Sequence, residues 1–386
     1  MRSFLWRGPA VACLAILLVL ASGGAASAAG TSGSSPTSPS SLSGTLNVYE
    51  GGDVNIQKLW QDALIPDFEK AYPKVHVNFV FSAHGVQDST TLAKLASSKQ
   101  TGQYSGFDLL DSGLVTEAAQ AGLLTKVTTK EVARSSQIDP QSFLAAQHDA
   151  MPYRGSKVLI AYDTQNVKHA PKTLKDVLSF IKSNPGKFDY NVPSGGGSGQ
   201  AFIEAVLNQY VPTSDQRTMA LGYDTSLESG WSQGFTELHS LNTDIYQNGT
   251  YPASQTQVYQ ELGSGTIWMA PVWSDQGLAA KKSGEFPSSV KFAELNPPLY
   301  GGPAYLGVPA VTPHKQLAFA FMNFVLSGKE QQKIVSTVQG LPGVELKYTP
   351  KSVQKEFSSY GTSQALPYSS KTAADMNRLW QSKVPG

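Results

Sequence analysis

The segment that decides the fold begins Thr-Leu-Asn-Val-Tyr-Glu-Gly-Gly-Asp at residues 45–53 and continues VNIQKLWQDALIPDFEKAYPKVHVNF over residues 54–79. Residues 46–49 have the composition of a strand, and the two glycines that follow mark a loop. Apolar residues then recur at the three- and four-residue spacing of a helix, at Ile56, Leu59, Trp60, Leu64 and Phe68. Residues 75–79 alternate between apolar and polar side chains. The segment therefore predicts a strand, a helix and a second strand.

The same alternation continues along the chain. Further strands are predicted over residues 107–110, 158–162, 266–270 and 290–294. Helices are predicted over residues 88–97, 173–183, 200–209, 316–326, 329–338 and 372–382, with Thr173 as the N-cap of the second. Strands that alternate with helices are typical of the α/β class, so we expect a mostly parallel sheet covered by helices.

The N-terminus has the features of a secretory signal peptide over residues 1–28. Arg2 and Arg7 precede the apolar stretch 10–21, and Ala26-Ser27-Ala28 forms a small-residue cleavage site. The only cysteine, Cys13, lies inside the apolar stretch, where lipid attachment to a mature N-terminus does not fit. We expect a protein that is secreted or held at the cell surface or in the periplasm; an uncleaved membrane anchor is the alternative.

Composition and charge limit the possible partners. Residues 29–44 are rich in Ser, Gly and Pro, which predicts a flexible linker ahead of a body that begins at Thr45. The whole chain has a formal charge of +1, and removal of the signal peptide makes it −1 because two arginines are lost. A near-neutral chain gives no electrostatic basis for nucleic-acid binding.

Several motifs together resemble the extracellular solute-binding proteins of ABC importers, in the branch that takes thiamine, polyamines and sugars. The motifs lie at 68–73 (FEKAYP), 119–124, 151–153 with 161–163, 171–176, 187–199 and 307–326. Two positions depart from the family pattern, because Asp163 stands where Asn is usual and Leu174 stands where Trp is usual.

The resemblance implies an α/β, two-lobed type II periplasmic-binding-protein fold with two crossing strands near residues 153–161 and 296–307. Lobe one would comprise residues 45–155 plus 300–386, and lobe two residues 156–299. A monomer would capture a small-molecule ligand in the cleft between the lobes and deliver it to the membrane subunits of an ABC permease. No cofactor is implied.

Open α/β sheets bind ligands beyond the carboxyl ends of their strands, and this rule supplies most of the predicted ligand-binding residues. The full set is Tyr49, Glu50, Asp53, Asp111, Ser112, Tyr153, Ser198, Gly199, Trp231, Trp273, Asp275 and Tyr305. Three members have structural alternatives: Asp111 and Ser198 as helix caps, and Trp231 as a core residue.

These residues leave the ligand's chemistry open. Carboxylates beside aromatic faces favour a cationic or polyol ligand, whereas the Ser/Gly-rich turn at 194–199, ahead of a helix, favours an anionic or phosphorylated one. The six histidines show no metal-binding spacing, and Ser198 lacks the final glycine of a nucleophile elbow. No catalytic or metal site is therefore predicted. The rival hypotheses are a secreted hydrolase that uses Asp111 and Asp275 as a carboxylate pair, and a surface or sensor protein on the same fold.

Overall fold

The computed structural model describes residues 42–195, 197–357 and 365–385. The predicted signal peptide and residues 29–41 of the predicted linker lie outside these ranges. The strands are β1 Gly44–Gly51, β2 Val75–Phe81, β3 Leu109–Ser112, β4 Ala150–Asp163, β5 Met269–Trp273, β6 Val290–Ala293, β7 Gly301–Gly307 and β8 Leu341–Pro342.

The helices are α1 Val54–Leu59, α2 Ile65–Ala71, α3 Asp88–Thr101, α4 Leu114–Gln120, α5 Leu174–Ser183, α6 Gly197–Asn208, α7 Thr213–Leu221, α8 Ser232–Ser240, α9 Gln255–Gly263, α10 Ser274–Ser283, α11 Lys315–Val325, α12 Gly328–Val338, α13 Lys351–Phe357 and α14 Ser370–Lys383. A π turn, Trp60–Leu64, joins α1 to α2. None of the helices in the described part of the chain is long and apolar enough to cross a membrane.

The sheet is mixed, so the expectation of a mostly parallel sheet is wrong. β1 lies between β2 and β3 and runs parallel to both. β7 then enters antiparallel between β3 and β4, although it comes much later in the chain. The sequence pattern predicts where strands lie along the chain, but it does not predict whether a strand distant in sequence runs parallel or antiparallel to its neighbours.

Strand β4 belongs to both lobes. Its first half pairs with β7, from Ala150 opposite Gly307 to Lys157 opposite Gly301. Its second half, from Val158 to Asp163, pairs with β5 and β6. Twelve of its fourteen residues are buried, which explains why residues 158–162 are an unbroken apolar run rather than an alternating one. β4 and β7 are thus the crossing strands of a two-lobed α/β fold.

Each lobe has its own aromatic core. In the first, Trp60 stacks on Phe321 with ring centroids 4.8 Å apart, and Phe68 packs edge-on against the same ring at 5.0 Å. In the second, Phe202 packs against Phe188 and Tyr190, each at 5.0 Å. The predicted helix at 173–183 starts in this lobe, and its capping box between Thr173 and Asp176 confirms the predicted N-cap.

The C-terminal segment, residues 365–385, packs on the second lobe, whereas the sequence analysis assigned it to the first. Tyr368 stacks on Trp231 at 5.7 Å, and Trp380 of α14 meets Tyr251 edge-on at 5.0 Å. The segment reaches this lobe beside the crossing, where Gly301 N donates to the Ala365 carbonyl at 3.1 Å. The apolar face of α14 was predictable, but an apolar face does not specify which of two cores it covers.

Candidate functional site

A cavity of about 170 Å³ lies where β1 and β3 end, against β7 and the crossing strand β4. Parallel strands place their carboxyl ends at one edge, so the polar residues at the ends of β1 and β3 come together there. The register sets Glu50 directly opposite Asp111. The lining includes Glu50, Asp111, Ser112, Thr116, Arg154 and Tyr305.

Glu50 is the least satisfied polar group of this cavity. Its side chain is only 1% exposed, and neither carboxyl oxygen has a hydrogen-bond partner. Gly52 makes room for it, because a Cβ at that position would overlap Oε1 of Glu50. Burial, followed by the negative charge of Asp111, raises the pKa of Glu50 to about 9, although the positive charge of Arg154 acts in the opposite direction.

Asp111, 2% exposed, is in contrast fully engaged. Trp60 donates its indole N–H to Oδ2 at 2.8 Å, and the Tyr153 hydroxyl donates to the same oxygen. The guanidinium of Arg154 lies 3.8 Å from Oδ1. Asp111 therefore joins the first core to the crossing strand and does not cap α4, since Gly113 precedes that helix without a side-chain hydrogen bond.

Arg154 is a charged residue of the site that the sequence reasoning missed. It donates from Nε to the Tyr153 hydroxyl at 2.7 Å, and its side chain is 14% exposed. The strand-end rule does not reach it because it lies in the middle of β4, where a bulge interrupts the register between Pro152 and Arg154. The available signal was a charged residue next to Tyr153 in a predicted crossing strand.

Ser112, which lines the cavity, is joined to Tyr49 through a second acid, Asp88, which the sequence reasoning also missed; Tyr49 itself is 0% exposed and is not part of the lining. The Tyr49 hydroxyl donates to Asp88 Oδ1 at 2.7 Å, and Ser112 donates to Oδ2. Tyr305 lines the cavity, and its hydroxyl donates to the Ser142 carbonyl at 2.7 Å.

Lobe two approaches this region through the start of α10. The Asp275 carboxylate accepts a hydrogen bond from Ser156 of β4 at 2.6 Å, and Gln276 lies 3.4 Å from the carboxylate of Asp53 in lobe one. Burial raises the pKa of Asp275, while Ser156 and the charge of Arg154 oppose that rise. Asp53 and Asp275 thus lie near the junction of the lobes, outside the cavity lining.

The remaining lobe-two residues of the predicted set lie elsewhere. Ser198 Oγ and Gly199 N both donate to Asn191 Oδ1 at 3.1 Å. Because α6 begins at Gly197, Ser198 lies inside the helix and is not its N-cap. Trp273 packs edge-on against Tyr300 at 5.9 Å. Trp231 is 0% exposed, in the second core, as the structural alternative proposed.

Arg154 and Pro303 also line a second cavity of about 510 Å³, next to the first. Its charged lining residues are Asp139, Glu345 and Lys347, besides Arg154. Among the residues that the structure describes, no group of three His, Cys, Asp or Glu side chains is arranged to hold a metal ion.

Comparisons with known proteins agree with this architecture. The family model for bacterial extracellular solute-binding proteins matches residues 63–360. A protein from Bordetella parapertussis described as an extracellular solute-binding protein superposes with a TM-score of 0.72 at 16% identity, over 88% of this chain and 98% of that one. The spermidine/putrescine ABC transporter substrate-binding protein of Streptococcus pneumoniae gives 0.64 at 12% identity, over 88% and 99%.

The GacH receptor of Streptomyces glaucescens, whose structures include an acarbose complex, gives a TM-score of 0.63 at 15% identity, over 89% of this chain and 95% of that one. A search of curated proteins finds no match. The family match covers well over half of the chain, and the solved structures share its two-lobed architecture. The chain belongs to the family of bacterial extracellular solute-binding proteins.

Proposed function

We propose that this chain captures a small polar solute between its two lobes and delivers it to the membrane subunits of an ABC permease. The observation that carries the proposal is the cavity of about 170 Å³ at the carboxyl ends of β1 and β3, beside the crossing strand that both lobes share. A ligand at this place touches the strand about which the lobes would close.

The proposal is for a receptor and not an enzyme. The rival hydrolase needs Asp111 and Asp275 to act as a free carboxylate pair. Instead, Asp111 is held by Trp60 and Tyr153, and Asp275 is held by Ser156. Carboxylates fixed by donors in this way suit the shaping of a site better than proton transfer to a substrate.

A thermal-shift screen with small polar solutes at millimolar concentration tests capture. A ligand that binds only the folded state must raise the apparent stability, so at least one solute class should raise the melting temperature. Thr116→Trp fills the cavity with an indole and should abolish the response, whereas the matched variant Thr116→Ser should keep it. A response that survives in Thr116→Trp contradicts this location of the site.

Export and delivery need a cellular test. We propose that residues 1–28 direct export and that the chain acts as a monomer outside the membrane. A strain that lacks the protein should lose uptake of the solute found in the screen, and the full chain should restore it. Normal uptake without the protein would favour the surface or sensor alternative.

A further inference from the structure

We propose that the cavity beside Glu50 takes the positively charged nitrogen of an organic amine or guanidine, whose N–H groups donate to both carboxyl oxygens of Glu50. This inference rests on the proposed function as a solute receptor and names the chemical class of the solute.

The unpaired oxygens of Glu50 carry the argument. A buried polar atom without a partner is costly, and nearly all such atoms in folded proteins have one. Glu50 lines the cavity and both of its carboxyl oxygens lack a partner, so a ligand in that cavity is the partner that the position of this side chain allows. Two neighbouring acceptors match a group with several N–H donors on one centre, such as an ammonium or a guanidinium.

The charges around Glu50 have the sign that attracts a cation. Asp111, Asp53 and Asp88 all disfavour the charged form of Glu50, and Arg154 favours it. Arg154 is itself shared, since it lies beside Asp111, donates to Tyr153 and interacts with the charge of Asp275. Acids thus outnumber this arginine, and an incoming cation would restore the balance.

The contacts of the Ser/Gly-rich turn at 194–199 disfavour a phosphorylated ligand. The anion-binding feature expected from the sequence was the Ser/Gly-rich turn, but Ser198 and Gly199 donate to Asn191 within lobe two. A polyol could donate hydrogen bonds to Glu50, but its neutral hydroxyl groups would leave the surplus of acids unbalanced.

The size of the cavity fits the charged head group of a solute and not the whole of a larger one. A volume of about 170 Å³ is below the roughly 300–1,000 Å³ of pockets that hold drug-sized ligands. The neighbouring cavity of about 510 Å³ shares Arg154 and Pro303 with it, so the remainder of a longer solute has room on that side.

Matched probes test the assignment. Thermal shift and calorimetry would compare butane-1,4-diamine and agmatine with butane-1,4-diol, mannitol and glucose 6-phosphate on the full chain. We expect the two nitrogen cations to bind, and Glu50→Gln to weaken them at least tenfold. Glu330→Gln is the matched control, because Glu330 is also 1% exposed with one unpaired oxygen but lies on α12, outside both cavities; it should bind as the wild type does.

The outcomes separate this inference from the proposed function. If the diol, the sugar alcohol or the sugar phosphate binds and the cations do not, the receptor function stands and the amine assignment is overturned. If the cations bind equally well to Glu50→Gln, with folding verified by circular dichroism, the role of Glu50 is overturned. If no probe binds the wild type, the amine assignment fails, and the broader screen with Thr116→Trp decides the receptor function separately.

Discussion

Arg154 and Asp111 form an ion pair through which the crossing strand meets the floor of the cavity. Nη2 of Arg154 lies 3.8 Å from Oδ1 of Asp111, and the Tyr153 hydroxyl links the two by accepting from Arg154 Nε and donating to Asp111 Oδ2. Because β4 continues into lobe two, this group of three residues ties the end of β3 to the strand that both lobes share.

Arg154→Met should destabilise the fold markedly, because it leaves Asp111 buried without its cation. Loss of one partner of a buried pair costs about 3 kcal/mol or more. Urea denaturation measures the change. Arg378→Met is the control, since Arg378 pairs with Asp375 at 2.9 Å on the exposed face of α14 and should give no measurable change. Equal effects of the two substitutions would contradict a special role for the Arg154 pair.

The affinity for an amine should rise with pH below about pH 9. Burial and Asp111 raise the pKa of Glu50 to about 9, so at neutral pH the free site holds a proton that a bound cation displaces. Affinity should therefore grow by up to about tenfold per pH unit as far as about pH 9, level off above it, and fall once an alkylamine loses its own proton near about pH 10.4. Calorimetry in two buffers of different ionisation enthalpy, neither of them an amine that would compete for the site, measures the released proton. Glu50→Gln should release none, and proton release by this variant would assign the proton to another group.

Glu204 should make the fold less stable as pH rises from 5 to 8. It accepts hydrogen bonds from Gln200 Nε2 at 2.8 Å and from Tyr368 N at 3.1 Å, and burial raises its pKa to about 8. The folded state then keeps a proton that the unfolded state has released above about pH 4.3, so the free energy of unfolding falls between these pKa values.

The quantity to measure is the change in the free energy of unfolding with pH, and not its value at one pH. Between pH 5 and 8, the fall in the free energy of unfolding should be smaller in Glu204→Gln than in the wild type by about 3 kcal/mol. Glu50 and Asp189, whose pKa values burial also raises to about 9, act in the same direction and keep some slope in the variant. Glu117→Gln, at an exposed position, is the control. A Glu204→Gln slope equal to that of the wild type would contradict the prediction.

Local features of this chain were predictable because their causes are local. The helical spacing from Ile56 to Phe68 and the cap at Thr173 depend on neighbouring residues, and the elements lie where the sequence placed them. The insertion of β7 between β3 and β4 depends on contacts nearly 200 residues apart in sequence, and no local pattern encodes it.

The site divides in the same way. The positions of Glu50 and Asp111 at the cavity were predictable because both lie at the carboxyl ends of strands that finish at one edge of the sheet. Arg154 was not, since its importance comes from acids on other elements: Asp111 on β3 and Asp275 on α10. The role of Asn191 as the acceptor for the Ser/Gly-rich turn depends equally on a tertiary contact.

Gly199→Ala should destabilise the second lobe. An added Cβ would overlap the Asn191 carbonyl oxygen, where the start of α6 packs directly on the backbone. Overpacking of this kind costs about 1–3 kcal/mol. Gly302→Ala is the control, because a Cβ there meets nothing within 4 Å. A Gly199→Ala variant as stable as the control, but weaker in ligand binding, would instead favour the ligand-contact role expected from the sequence.

Trp231 provides the clearest separation of a core role from a ligand role. It is 0% exposed, stacks on Tyr368 at 5.7 Å and donates its indole N–H to the Tyr368 hydroxyl at 3.2 Å. Truncation of such a residue to alanine costs about 3–5 kcal/mol. Trp231→Phe keeps most of the packing, so it should lower the melting temperature while ligand affinity stays at the wild-type value. A variant with wild-type stability and weakened affinity would place Trp231 at the ligand, and the C-terminal segment would then have to move away from the second core to expose it.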